Sequence, residues 1–445
     1  MSATRGLGER LAGNVRSDMS NHDKANSPVS DDRDGEYLSA KEAAKALGIS
    51  VQTLYVYVSR KGIHSQPIAG SRERRYWRPD IERLIGQKSA APPAVGRLRQ
   101  ESRITLITNS GLFYRGHNAA DLAAHSSFES VASLLWGFPE EAVFTKSAPP
   151  IPPRFSAIQL ALAGYSEINR ATAILPLFEE ADTKAHDLSP LGMARTGAAV
   201  LRTLAALAVG SDRPCTEPIH EFIARQIGAN ALQRDLIRRQ LVLAADHGFE
   251  PGTVAVRVIA GTGVTPWRSV IAGLSVILGC RPRRGGWSAV SRLLAEILAS
   301  SNPTLPVARR IRLGEYVPGF HTPVHSKGDP RARSLLEFCA SAFARDSSYR
   351  KLAAAIADAK SLHGLEPNFA LAFLFVDSKT GVDFSHSLFP VGRCAGWIAH
   401  AIEQYHSGEP ERILSVYKGD PSRQLVEHQA FRGYELASRA ANDQP

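Results

Sequence analysis

Between Tyr37 and Ile85 the apolar residues recur at helical spacing in short bursts, each punctuated by a glycine or a capping hydroxyl. Ser39-Ala-Lys-Glu42 has the form of a capping box and predicts a helix through Leu47, which Gly48 ends in a tight turn. Ser50 can cap a second helix, Val51–Arg60, and Ala43, Ala44, Leu47, Ile49, Leu54 and Val58 would supply a small shared core. A short helix from Asp80 to Ile85 follows. From Glu101 onward, longer amphipathic patterns dominate. Asn230–Ala245 carries Leu232, Leu236, Ile237 and Leu241 on one stripe, Ser288–Ala299 is similar, and Trp397–Tyr405 repeats the pattern with Trp397, Ile398, Ala401, Ile402 and Tyr405. Strand signals are few: Ile104–Thr108, the Asn109-Ser110-Gly111 turn and Leu112–Tyr114 read as a hairpin. The expected fold class is mainly α, a small helix-turn-helix domain followed by a mostly helical body.

Composition refines this picture. Residues 1–35 are poor in large apolar side chains and read as a disordered tail, because such a segment cannot offset its ordering entropy. The expected domains are residues 36–86, a linker over 87–99 that includes the Pro/Ala/Ser-rich Gln87–Gly96, and a body over 100–445. Four dispersed cysteines, Cys215, Cys280, Cys339 and Cys394, form no CxxC pair and read as reduced thiols of a cytoplasmic protein. No apolar run is long enough to span a bilayer, and no secretory leader is expected. A net charge of +10 permits a polyanionic partner without requiring one. His321 and His325 are four apart, but Pro323 between them breaks helical spacing, so no metal site is expected.

The N-terminal module has the means to read DNA. Its second helix offers Gln52, Thr53, Tyr55, Tyr57 and Ser59 for hydrogen bonds to base edges and runs into Arg60-Lys61. The basic segment Arg72-Glu73-Arg74-Arg75-Tyr76 is placed to act as a wing on phosphates. The segments LSAKEAAKALGISVQTLYVYVSRKG and SRERRYWRPDIERLI resemble the winged helix-turn-helix of the mercury-resistance-regulator and excisionase class. A small helical docking domain with a solvated basic face is the plainer alternative.

Three ordered segments of the body carry a second resemblance: Leu241–Gly248 with Thr253–Val258 and Gly285-Gly286, then Gly319–Ala332, then Phe389–His400. Together with ESRITLITNSGLFYRG and SSFESVASLLWG they resemble citrate synthase. The resemblance implies a two-domain helical body, with a small domain roughly over 288–376, a site in the cleft and a homodimer. It also implies oxaloacetate- or citrate-like carboxylates and acyl-CoA as substrates or ligands, with no resident cofactor.

By that resemblance His247, Arg331 and Arg393 hold the carboxylates, and arginine's planar, permanently charged fork suits the task. The proton-transfer positions read otherwise. Arg284 stands where the family has a histidine that stabilises the enol, and it cannot exchange a proton near neutral pH. Thr322 stands where a second histidine polarises the ketone, with His321 one position off and His325 beyond. Asn368 stands at the carboxylate base, or that base is deleted, leaving Glu366 nearest. The partner-supplied Arg-Pro-Arg becomes Arg412-Ile-Leu, with Lys418 a further cation. A missing general base costs about 10²–10⁴ in rate. Three readings follow: a DNA-binding sensor of a carboxylate or CoA ester with impaired catalysis; an active citrate or 2-methylcitrate synthase with an attached domain; and a non-catalytic subunit paired with an active homologue.

Overall fold

The structure, a computed structural model, describes residues 37–68, 70, 71, 73–89, 101–108, 111–277, 279, 286–320, 322, 324, 325, 327–380 and 388–407. The tail, most of the expected linker, Arg72, Arg284, His321, Cys280, Arg412 and Lys418 lie outside the described residues. The chain divides after Ile85 into two compact units.

In the first unit the capping box forms as the sequence requires. Ser39 N–H donates to Glu42 Oε2 at 2.9 Å, and Glu42 N–H donates to Ser39 Oγ at 3.3 Å, opening the helix Ala40–Leu47. Gly48, at φ +63°, ends it in the left-handed region. Ser50 Oγ accepts the Thr53 N–H at 3.1 Å and starts Val51–Lys61. A three-stranded antiparallel sheet follows, with Arg74–Trp77 in the middle between Tyr37–Ser39 and Ser65–Pro67. Ala43, Ala44, Leu47, Leu54, Ile63, Tyr76, Ile81 and Leu84 form its core. The last helix runs over Arg78–Ser89, longer than expected at both ends: Pro79 suits a first turn, and Gln87 to Ser89 continue the helix instead of starting a linker.

Among its described residues, the second unit is helical apart from a small antiparallel sheet of Thr105–Ile107, Leu112–Tyr114 and His117–Asn118 and an isolated bridge between Phe320 and Pro367. One continuous core runs through it. The helices Gly286–Ala299, Leu305–Arg312, Pro330–Ala342, Ser347–His363 and Phe369–Thr380 pack on one another, and Phe369–Thr380 also lies against Ala231–Ala244. Asn230 caps Ala231–Ala244 through a capping box with Gln233. Leu236, Ile237 and Leu241 of its stripe are fully buried, whereas Leu232 is 36% exposed, because it lies in the first turn, beyond the packed part of the helix. Where this helix meets Phe369–Thr380, Gln240 Nε2 donates to Asp377 Oδ1 at 2.8 Å, and burial pushes the Asp377 carboxyl well above its ordinary range.

Leu388–His406 is the helix on which the site depends. Gly392 and Gly396 stand four apart and so face the same neighbour, the end of Ala231–Ala244. Gly396 N–H donates to Ala245 O at 2.8 Å. A Cβ on Gly396 would lie 2.3 Å from that oxygen and from Asp246 Oδ1. At the next residue, Trp397 is wholly buried on Gly273, and its indole N–H donates to Glu250 Oε1 at 3.3 Å. Gly396→Ala is expected to destabilise the second unit by about 2 kcal/mol net, despite alanine's better helix propensity, seen as a lower urea midpoint.

Candidate functional site

The chain turns sharply after Ala231–Ala244, and Tyr114 secures the turn. Its hydroxyl lies 3.2 Å from the carbonyls of Val242 and Leu243 and 3.1 Å from that of Asp246, and accepts the Asp246 N–H at 3.3 Å. Burial keeps this phenol protonated, far above its usual range. Asp246 is fully buried. Its Oδ2 accepts the Gly248 N–H at 2.8 Å, and its Oδ1 lies 3.4 Å from Nε2 of His400, itself fully buried. Burial would raise the Asp246 carboxyl, but His400 and Arg393 outweigh it and hold it well below the carboxylate range. Behind it Arg257 lies 3.4 Å from His400 Nδ1 and pairs with Glu403 at 2.8 Å.

This turn presents His247. Its Nε2 lies 2.8 Å from Nε2 of His325, which is 4% exposed. His325 Nε2 is 3.9 Å from Asp329 Oδ1. Asp329 caps the helix Pro330–Ala342 by accepting the Arg331 N–H at 3.0 Å, and Arg331 folds back onto it as a fork, Nε to Oδ1 at 3.0 Å and Nη2 to Oδ2 at 2.7 Å. The guanidinium also lies 4.3 Å over the Phe369 ring. Desolvation, then Arg331 and Arg393, lower the His247 pKa well below its usual value, and desolvation lowers that of His325.

Arg393 is only 2% exposed, its guanidinium lies 5.2 Å over Phe389, and its Nε and Nη1 have no hydrogen-bond partner among the described residues. Buried guanidinium N–H groups without partners are costly and call for an acceptor, which an anion or a water would supply. His247, Arg331 and Arg393 therefore share one electrostatic neighbourhood, although Arg331 is already matched by Asp329 and Arg393 is the cation with N–H groups to offer.

At the two described positions that the resemblance assigns to proton transfer, the side chains hold backbone. Thr322 Oγ1 accepts the Val324 N–H at 3.1 Å. Asn368 N–H donates to Gly319 O at 2.9 Å and its Oδ1 accepts the Leu371 N–H at 3.3 Å, which caps Phe369–Thr380. Glu366 is paired with Lys360 at 2.8 Å. Arg284 and His321 lie outside the described residues. His247, His325 and Asp329 bring potential metal-ligating atoms within 4.8 Å of one another, a cluster that the spacing of His321 and His325 did not foretell. Arg331 already occupies both Asp329 oxygens and Arg393 faces the cluster, so its charge suits an anion better than a cation.

In the first unit Gln52 and Lys61 are exposed and Tyr55 is 55% exposed. Thr53 Oγ1 lies 2.8 Å from Ser50 Oγ and so serves the helix cap, and Tyr57 packs against the module's core, unlike its expected exposed role. Arg74 is exposed but donates to Ser65, from Nε to Oγ and from Nη2 to the carbonyl, each at 3.0 Å, bracing the hairpin. Arg75 is half-buried, and the Arg60 side chain lies outside the described residues.

Comparison with known proteins agrees with both units. Residues 96–414 match the family described as citrate synthase, C-terminal domain, and residues 37–89 match the helix-turn-helix domain family. The chain is similar to citrate synthase 2 of Bacillus subtilis (25% identical over 362 residues, 74% of this chain and 96% of that protein). It is also similar to a 2-methylcitrate synthase of Mycobacterium tuberculosis strain H37Rv (27% over 400 residues, 78% and 93%). Among solved structures it shares its fold with citrate synthase from Pyrobaculum aerophilum at TM-score 0.65 and 21% identity, covering 74% of this chain and 92% of that one. Arg393→Met is expected to weaken dicarboxylate affinity at least about tenfold, since cutting a buried charge contact typically costs 2–5 kcal/mol. Calorimetry checks this, with circular dichroism confirming that the variant is folded.

Proposed function

The chain belongs to the citrate synthase family and carries a helix-turn-helix domain ahead of that region, and from that premise we propose that it is a DNA-binding sensor of a di- or tricarboxylate or CoA ester, with the family's carbon–carbon chemistry impaired. The observation that carries the ligand half is Arg393, a buried cation whose Nε and Nη1 point no hydrogen bond at the described protein. A carboxylate meeting those N–H groups, beside His247, would supply the missing acceptors.

The loss of catalysis rests on what the reaction demands. Removing a proton from the methyl of a thioester needs a positioned base and simultaneous stabilisation of the enolate. Asn368 supplies an amide that caps a helix, and Thr322 a hydroxyl that accepts a backbone N–H. Neither is an acid or base at neutral pH. Oxaloacetate and an acyl-CoA can still be bound by such a site without being joined.

The DNA half rests on the exposed Gln52, Tyr55 and Lys61 along one helix and on the hairpin that Arg74 braces against Ser65. In this reading the helix enters the major groove and the hairpin lies over the backbone. Ligand binding alters DNA affinity only to the extent that the two states bind DNA differently.

Mixed with oxaloacetate and acetyl-CoA, the protein is expected to release free thiol at no more than about 0.01 s⁻¹, well under the ~1 s⁻¹ at the low end of ordinary enzyme turnover. Turnover near ~1 s⁻¹ sinks the impaired-catalyst reading. The protein is also expected to retain genomic DNA fragments at about 150 mM salt, where purely phosphate-driven binding is already weak. Replacing Gln52 and Tyr55 together with alanine should abolish that retention while leaving circular dichroism unchanged. Failure of the unaltered protein to retain any fragment contradicts the DNA reading.

A further inference from the structure

His325 has no role by resemblance, yet it is buried at the centre of the site with its Nε2 2.8 Å from that of His247, the rings 5.1 Å apart and tilted by 48°. A hydrogen bond between two ring nitrogens needs one that bears the proton and one that is bare. Such a pair can take one more proton on the far nitrogen of the donor ring and keep its bond. A second added proton would set two N–H bonds head to head, so the pair takes up one proton and then stops.

The groups facing the pair come from each element around it. Among the described residues, the segment entering Pro330–Ala342 gives Asp329 and Arg331 and the helix Leu388–His406 gives Arg393, whereas Asp246 of the adjoining turn faces His400 and Arg393. Asn368 and Phe369, at the start of the next helix, are uncharged, and the Tyr114 phenol stays protonated. Two guanidiniums thus act on the pair against the one carboxylate of Asp329, and the field there is net positive. Near neutral pH the pair is uncharged, since burial and the two arginines hold His247 well below its ordinary value and burial also lowers His325. A dicarboxylate seated on Arg393 adds two negative charges at Coulombic range and reverses the sign of that field.

Resting on the ligand reading above, we propose that His247 and His325 act as one proton acceptor, so that a dicarboxylate enters the site together with one proton and His325 makes the site prefer doubly over singly charged carboxylates. A proton taken up on binding makes affinity fall as pH rises above neutrality, by at most about tenfold per pH unit.

The test uses oxaloacetate, doubly ionised at pH 7.5, titrated calorimetrically into the full chain in phosphate, Hepes and Tris. The dependence of the heat on buffer ionisation enthalpy counts protons. Uptake of roughly half to one proton per oxaloacetate is expected. His325→Gln, which keeps a hydrogen-bonding side chain but does not titrate, is expected to bind several-fold more weakly with uptake near zero, and to lose the preference for oxaloacetate over pyruvate. Binding by the unaltered protein without proton uptake, or uptake unchanged in His325→Gln, overturns the proposal. Should the variant fail to fold, the unaltered protein decides alone: affinity falling between pH 7 and 8.5 supports the proposal, and a flat series overturns it. Absence of oxaloacetate binding at every pH removes the ligand reading itself and this proposal with it, whereas binding without a proton leaves that reading standing.

Discussion

A guanidinium that is 2% exposed, with two nitrogens lacking a hydrogen-bond partner among the described residues, sets the terms for everything around it. Burying a charge costs several kcal/mol unless geometry and hydrogen bonds compensate it. Arg393 receives its compensation from Asp246, which is held in turn by the Gly248 N–H and by His400. That chain of partners exists only because Leu388–His406 approaches the end of Ala231–Ala244 closely, and Gly392 and Gly396 permit that approach. The same turn aims His247 at His325. The site is thus a product of helix packing: two glycines bring two backbones together, and the charged groups on either side must then be reconciled.

What that reconciliation leaves is asymmetric. Arg331 is satisfied within its own helix start, where Asp329 serves as both cap and counter-ion. Arg393 is not satisfied in that way. A site with one matched and one open guanidinium would orient an anion bound there. Of the three positions that the resemblance assigns to proton transfer, the two described ones, Thr322 and Asn368, each close a local backbone turn. On the proposed reading, the sensor would keep the binding and not the chemistry.

Much of this was legible in the chain itself. The capping box at Ser39, the Gly48 turn and the hairpin at Leu112–Tyr114 are local chemistry, and local rules foretold them. The family motifs named His247, Arg331 and Arg393. The pairing of His247 with His325 was not legible, because the two are 78 residues apart and only tertiary packing brings them together. Nor was the fork of Arg331 on Asp329, since the Asp-Pro-Arg motif does not say whether arginine turns inward or back. Tyr57 and Thr53 looked like base readers by helical position alone, but one is drawn into a small core and the other into a cap. Leu232 fits the helical period yet lies outside the packed turn, the ordinary failure of periodicity at a helix end.

The most direct measurement of the central claim is a crystal structure of the full chain soaked with oxaloacetate. A carboxylate is expected within hydrogen-bond distance of Arg393 Nε and Nη1 and close to the His247–His325 pair, with Thr322 and Asn368 still bound to their backbone partners. Density for the ligand elsewhere, or an Arg393 that stays without an acceptor at saturating oxaloacetate, contradicts it.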